Sequence, residues 1–341
     1  MINNILSNIN ASELNKQQKI ALKSYVLNLN RDSFPIIFDV NQIKHLFDLL
    51  EVDILEEFME KNIDKYTKIK KSGSLREVHK PSYKLKKIQK WILKKMLYQI
   101  QLPDCVHGFI KGKSILSNAK AHVHDSPFWI HNIDIKDFFP SIDVKRVKKV
   151  FLDFGYSDEV SDYLSQLCTF NGELVQGFPT SPMLANIIFK DIDYIILNIV
   201  KKYNIVYTRY ADDLTFSGPV GYNYIKKISS IHSSVEYVIN DSGFKLNKLK
   251  TRTIKGNKPK VITGLIVSET GVSVPKKYIK LLDKELYYCK KYGVSDHLKY
   301  NGLITIANYK GYLIGLARFI YMIEKDVGSN LLKEINQLDW D

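Results

Sequence analysis

The chain has 341 residues, 45% of them hydrophobic and 25% charged, with a formal net charge of +14. That length and apolar content can bury a sizeable core, which excludes a disordered or fibrous protein, and the excess of lysine and arginine points to a polyanionic partner. Cys105, Cys168 and Cys289 are far apart with no Cys-x-x-Cys pair, which argues against a disulfide framework or structural zinc, and no apolar run reaches the roughly 20 residues of a membrane span.

In chain order, residues 10–30 and 41–62 have helical spacing. Phe47, Leu50, Ile54 and Phe58 form an apolar stripe in the second. Residues 1–60 are acidic, with a net charge of −4, and Met1-Ile2-Asn3-Asn4 lacks the features of a signal peptide, so a cytoplasmic location is expected. Residues 61–95 reverse the sign, to +11. Tyr66 to Lys70 and Leu75 to His79 predict a hairpin around Lys71-Ser72-Gly73-Ser74, and Pro81 precedes a basic helix from Leu85 to Ile100. Phe128 to Ile135 alternates as a strand. Ser181-Pro182 opens a long apolar helix to about Lys202, with serine suited to the N-cap and proline to the first helical position. Val206 to Tyr210 and Leu214 to Ser217 predict two strands around a tight turn at Ala211-Asp212. Residues 245–341 carry a net +9, with a strand pair near Val261 to Val267 and Gly271 to Val274, then helices near 276–292 and 303–325. Two basic blocks flank a near-neutral centre, as in a cleft with a carboxylate floor and phosphate-gripping walls. The order strand, helix, helix, hairpin predicts an α+β fold with helices on one face of a sheet.

The sharpest feature is Tyr210-Ala211-Asp212-Asp213 between two apolar strands. Adjacent aspartates repel, and burial beside them costs more. A surface β-turn also favours aspartate, but the aromatic and apolar flanks favour a bound cation. Mg²⁺ is hard and takes carboxylate and phosphate oxygens. Asp134, at the end of its strand, supplies a third carboxylate, while Asp137, three residues on, is expected to play a supporting part. Three such groups on neighbouring strands can hold two metals roughly 3.5–4 Å apart, one at a primer 3′-hydroxyl and one at the leaving pyrophosphate.

These residues carry a family resemblance. Tyr210 to Asp213 resembles the catalytic box of reverse transcriptases. Asp134 to Ser141 resembles the family's first carboxylate motif, Gln176 to Asn186 its template- and nucleotide-handling segment, and Phe244 to Thr251 the palm motif that follows. The motifs stand in the family's order, and the likeness covers roughly residues 45 to 325. Within the family the chain resembles bacterial retron enzymes: Asn118-Ala119-Lys120-Ala121-His122 fits their Asn-Ala-x-x-His segment. Ile262-Thr263-Gly264 departs conservatively from their Val-Thr-Gly.

The resemblance implies a right-hand polymerase: N-terminal helices over 1–60, fingers over 61–125, a palm over 126–245 with its catalytic hairpin at 205–217, and an RNA-binding thumb over 246–341. It implies two Mg²⁺ ions, with Mn²⁺ as a substitute, held by Asp134, Asp212, Asp213 and the Ile135 carbonyl. Arg76 matches a triphosphate-binding arginine, with Lys70 and Lys71 assisting. Phe139 matches the sugar gate that selects dNTPs, with Phe138 as its core neighbour. Gln176 and Gly177 would border the nascent base pair, Phe178 replaces a smaller residue, and Lys250 matches a lysine that protonates pyrophosphate. Asn118, His122, Lys255, Lys258, Lys260, Lys276, Lys277 and Lys280 would contact RNA. The implied reaction copies part of a cognate structured noncoding RNA from a guanosine 2′-hydroxyl into branched RNA–DNA (msDNA). The implied setting is antiphage defence with an effector protein and no membrane. Open alternatives are another small bacterial reverse transcriptase, of abortive-infection, diversity-generating or intron type, and a non-catalytic RNA-binding scaffold.

Overall fold

Four short helices begin the chain: α1 (Ile2–Ala11), α2 (Lys16–Arg31), α3 (Val40–Phe47) and α4 (Leu55–Lys61). The continuous helix expected over 41–62 is therefore two. Asp48 adopts a left-handed conformation (φ 55°) that ends α3, and Leu50 and Ile54 of the expected stripe are exposed. The computed structural model describes residues 2–69, 73, 75–301 and 306–340. Strands β1 (Ile63–Ile69) and β2 (Leu75–Pro81) form the expected antiparallel hairpin, with Lys68 opposite Arg76. Lys70, Lys71, Ser72 and Ser74 lie outside the described residues.

Helix α5 (Tyr83–Lys95) starts where the Ser82 hydroxyl accepts the Leu85 N–H, and stops before the expected Ile100 because Met96 leaves helical geometry. Next come α6 (Ile115–Lys120), β3 (Phe128–Asp134), α7 (Val144–Asp153), α8 (Asp158–Cys168) and α9 (Ser181–Lys201). The hairpin β4 (Val206–Tyr210) and β5 (Asp213–Pro219) leads to α10 (Tyr224–Asp241) and the short strand β6 (Arg252–Ile254), which the alternation of the sequence does not announce. Strands β7 (Lys260–Ile262), β8 (Leu265–Ser268) and β9 (Gly271–Ser273) precede α11 (Lys276–Tyr292), α12 (Val294–Asn301), α13 (Ile306–Ile323) and α14 (Lys325–Asn336). The α+β class is as expected. No helix among the described residues is long and apolar enough to cross a membrane.

The chain divides into two compact units. One comprises Met1–Asp104, Ile135–Ile196 and Val235–Leu246; the other Cys105–Asp134, Leu197–Ser234 and Asn247–Asp341. In the first, Phe138, Phe189 and Phe244 pack ring against ring. The second holds a four-stranded antiparallel sheet in the order β4-β5-β3-β6. Along β3 every residue but Asn132 is buried, so the alternation separates two packed faces rather than core from solvent. The same unit has a helical core built from Leu282 and Leu286 of α11, Leu298 of α12, Leu313 and Ile320 of α13, and Leu331 and Ile335 of α14. Cys105, Cys168 and Cys289 are buried thiols outside any disulfide.

Candidate active site

Antiparallel pairing sets the positions of the carboxylates. Tyr210 pairs with Asp213 across the β4–β5 hairpin, so Ala211 and Asp212 alone form the turn. Asp213 in turn lies opposite Asp134, the last residue of β3. Side chains directly opposite each other in such a ladder are neighbours. Ala211 is left-handed (φ 57°), a conformation that costs a residue with a Cβ on the order of 1 kcal/mol or more. The surroundings hold it there. Arg209 is fully buried, and its Nη1 donates to the Ala211 carbonyl at 3.1 Å. The Arg209 backbone donates to Cys105 O and accepts from His107 N–H, each at 2.8 Å. Gly108 then passes so close that a Cβ there would lie 2.6 Å from Ala211 N. Neither Arg209 nor Gly108 is named by the sequence motifs; the only local signal is a cationic side chain inside an apolar strand.

The electrostatics are those of crowded anions. Asp134 is buried; its Oδ2 accepts from Lys250 Nζ at 2.7 Å, and its Oδ1 is buried with no hydrogen-bond partner. Burial, then the charges of Asp212 and Asp134, push Asp213 up to about 6, against Lys250 and Arg252. Asp213 keeps a solvent-facing side, while protein crowds it elsewhere. Burial opposes the charge of Lys250, but Asp134, Asp212 and Asp213 outweigh it and hold the ammonium above its ordinary range. Asp134, Asp213 and Lys250, with Asn132, Arg252 and Thr263, line a cavity of about 330 Å³. Among the described residues no three His, Cys, Asp or Glu side chains form a ready-made metal centre. Lys250 instead acts as the cation on Asp134. The donor set nevertheless suits a hard divalent ion, because an orphaned buried carboxylate oxygen and a carboxylate raised by its neighbours both gain from one.

The other expected contacts lie in the first unit. Arg76 is exposed on β2. The Gln176 carbonyl accepts from the His79 N–H at 2.8 Å. Gly177 has φ 113°, and a Cβ there would lie 2.1 Å from His79 O, so only glycine fits against β2. Phe138 is buried while Phe139 is half-buried beside it. Phe178 is buried. Asp137 is exposed and left-handed (φ 46°), and its carbonyl accepts from the Ser141 hydroxyl at 2.8 Å. Ile135 continues β3 into an antiparallel bridge with Leu246.

Three expected RNA contacts need correction. His122 is fully buried, with Nδ1 2.7 Å from Ser217 Oγ and Nε2 2.7 Å from Thr208 Oγ1; it ties β4 to β5 and has no surface for a ligand. Asn118 is buried with Nδ2 toward Thr263 Oγ1. Lys260 is buried over the Phe128 ring, donating to Gly256 O. Lys255, Lys258, Lys276, Lys277 and Lys280 are exposed.

Adjacent aspartates on a sheet hairpin, beside a third on the neighbouring strand, are the arrangement expected of a template-directed polymerase. Comparison with known proteins narrows this. Residues 68–294 match the family Reverse transcriptase (RNA-dependent DNA polymerase). The chain is 32% identical over 263 residues to the Retron Ec86 reverse transcriptase of Escherichia coli, covering 76% of this chain and 80% of that one. It is 29% identical over 299 residues to the Retron Mx162 reverse transcriptase of Myxococcus xanthus, covering 79% of this chain and 59% of that one. On the family match and these relatives, the chain belongs to the reverse transcriptases, within them to the bacterial retron enzymes, and is an RNA-directed DNA polymerase. Among solved structures, apo telomerase from Candida tropicalis has a TM-score of 0.47 at 10% identity, covering 86% of this chain and 61% of that chain.

Proposed function

We propose that this enzyme copies part of a cognate structured noncoding RNA into branched RNA–DNA, msDNA, by two-metal nucleotidyl transfer in the cytoplasm, as the polymerase of an antiphage system with an effector protein. The observation that carries the chemistry is the pairing of Asp134 with Asp213 next to Asp212 in the hairpin turn. Asp134, Asp212 and Asp213, with the Ile135 carbonyl, would hold two Mg²⁺ ions, or Mn²⁺ in their place. When bound, such ions lower the pKa of a primer hydroxyl and neutralise charge on the departing pyrophosphate.

The chain's own residues supply the rest. The Arg76 guanidinium offers a fork of donors to the triphosphate of a dNTP. The Phe139 ring would lie under the sugar and collide with a ribose 2′-hydroxyl. The backbone at Gln176 and Gly177, fixed against β2, would border the new base pair. Lys250 carries a proton beside the carboxylates and would deliver it to a pyrophosphate oxygen. Exposed Lys255, Lys258, Lys276, Lys277 and Lys280 would bind RNA backbone, whose helices are read mainly by shape. On this reading the domains are N-terminal helices 1–60, fingers 61–125, palm 126–245 and thumb 246–341. Purified protein given Mg²⁺, RNA and dNTPs should make DNA, and Asp212→Asn should reduce synthesis by at least about 1,000-fold. Equal product from both proteins would remove the metal assignment. Sequencing nucleic acid that copurifies with the enzyme should find DNA joined to an RNA 2′ position; only linear products would reject the msDNA reading.

A further inference from the structure

A second cavity, of about 590 Å³, opens between α11 and α12 and is lined by Lys284, Glu285, Tyr288, Tyr292, Asp296 and His297. Its size falls within the roughly 300–1,000 Å³ of small-ligand sites. Glu285, Tyr288 and Tyr292 stand at i, i+3 and i+7 on α11 and so share one face. Gly293 (φ 82°) turns the chain, and α12 brings Asp296 and His297 to the same space. The three rings are near-parallel. Tyr288 lies 15° from parallel with Tyr292, at 6.1 Å between centroids, and 13° from parallel with His297, at 5.6 Å.

The acidic side of the cavity is fixed from behind. Glu285 Oε2 accepts from the Tyr309 hydroxyl at 2.7 Å and lies 2.9 Å from His297 Nε2. Burial works against the charge of Glu285, but these bonds outweigh it and keep the carboxyl below its ordinary range. Both contacts fall on Oε2, so Oε1 retains its accepting capacity beside the cavity. Asp296 adds a second carboxylate: its side chain is 71% exposed, its Oδ1 lies 3.3 Å from Lys299 Nζ in a pair that solvent screens, and its Oδ2 is the oxygen left to accept.

Near-parallel rings suit a flat ligand, and carboxylates suit one that presents N–H donors. They also repel phosphate, so a nucleotide would enter base first. Aromatic platforms of this kind hold single-stranded bases. Guanine sets two N–H donors, N1 and N2, side by side on its Watson–Crick edge, the edge that is read in unpaired RNA; two adjacent donors suit two neighbouring carboxylates that each offer one open oxygen. An arginine-bearing peptide has similar donors, but residues 245–341 carry a net charge of +9, which attracts a nucleic-acid backbone and opposes a cationic peptide.

We propose that this cavity captures an unpaired guanine of single-stranded nucleic acid, stacked on Tyr288 and Tyr292 with its N1–H and N2–H donating to Glu285 and Asp296. The choice of nucleic acid rests on the enzyme's action on RNA. The test uses the full chain and fluorescence anisotropy with labelled ten-nucleotide oligo-uridine RNAs carrying one central guanine, inosine or uridine. The guanine RNA should bind about 10-fold more tightly than the uridine RNA, since a well-stacked and paired base contributes about that much or more. Inosine keeps the purine stack and N1–H but lacks the N2 amine, and should fall between the two. Tyr288→Ala and Asp296→Asn should each remove most of the preference at an unchanged thermal midpoint. Should Tyr288→Ala unfold, Asp296→Asn at an exposed position still decides the matter. Equal binding of all three RNAs would overturn the proposal, as would a preference that survives both substitutions, or an arginine-rich peptide that binds the cavity where guanine does not. Primer extension by the parent protein on a homopolymer template reads the polymerase assignment separately, so the two can fail independently.

Discussion

Gly108→Ala tests how the catalytic turn is held in place. The added Cβ would lie 2.6 Å from Ala211 N, 3.2 Å from Tyr210 C and 3.3 Å from Tyr210 Cα. All three are backbone atoms, so no side chain can swing away. An ordinary contact begins near 3.4 Å, which leaves 0.8 Å to be recovered by moving the turn or the 105–109 segment. The segment is itself bonded to β4 through Cys105 and His107, so the strain is delivered to the residues next to Asp212 and Asp213. A displacement near 1 Å at reacting groups can cost on the order of 100-fold in rate. We therefore expect kcat for primer extension to fall about 10- to 100-fold with KM for dNTP little changed. The overpacking itself should cost about 1–3 kcal/mol of stability, read from urea unfolding. Gly221→Ala is the control, because a Cβ there meets nothing within 4 Å; it should leave both quantities as in the parent. A Gly108→Ala enzyme with parental kcat would refute the claim that this segment positions the turn.

The buried histidines make stability depend on pH. His122 is pushed down to about 3 by burial, then by His124 and His107. It stays neutral in the native protein while the unfolded imidazole, with a pKa near 6.5, takes up a proton. The native state therefore binds fewer protons between pH 6.5 and about 3, and stability is lost as pH falls through that window, by about 2 kcal/mol between pH 7 and 5. His131, pushed down to about 4 by burial and by His232, acts in the same direction. Urea midpoints measured across this range should fall with acid, and His122→Gln should flatten the slope by close to one proton; an unchanged slope would show that His122 titrates normally. At the sugar gate, Phe139→Ala should raise incorporation of ribonucleotides relative to deoxynucleotides, on the order of 10-fold or more, in paired single-nucleotide extensions. Unaltered sugar choice would take that role from Phe139.

The hairpin was legible because everything that defines it is local. Val206 to Tyr210 and Leu214 to Ser217, each built around apolar and aromatic residues, flank Ala211, Asp212 and Asp213, and the observed strands keep that centre. The long helix from Ser181 was legible for the same reason: a serine–proline start and an apolar run that fixes its length at Lys201. The expected helix over 41–62 failed because one left-handed residue, Asp48, divides it, and aspartate tolerates that conformation without announcing it in the spacing. Strand β6 escaped notice because three residues exist as a strand only through pairing with β3.

The RNA contacts failed for a different reason. His122, Asn118 and Lys260 are polar residues in a basic chain, and polarity alone suggests a surface. Buried polar groups survive when most of their polar contacts are met inside, and here the contacts that bury them come from distant segments: Thr208 and Ser217 for His122, Thr263 for Asn118, and the Phe128 ring for Lys260.

By itself the sequence determined the class of chemistry. Three aspartates in two motifs and the segregation of positive charge are properties of residue type and local order. Only the tertiary structure decided which groups meet. The register of β3 against β5 sets Asp134 opposite Asp213; a slip of one residue would turn the Asp134 side chain to the other face of the sheet. Folding also brings Lys250 from more than a hundred positions away onto Asp134, closes Gly108 over the turn, and aligns Tyr288, Tyr292 and His297 around a cavity. The first two depend on distances between segments remote in the chain, which local order does not encode; the ring cluster depends on the turn at Gly293 that folds α12 back on α11.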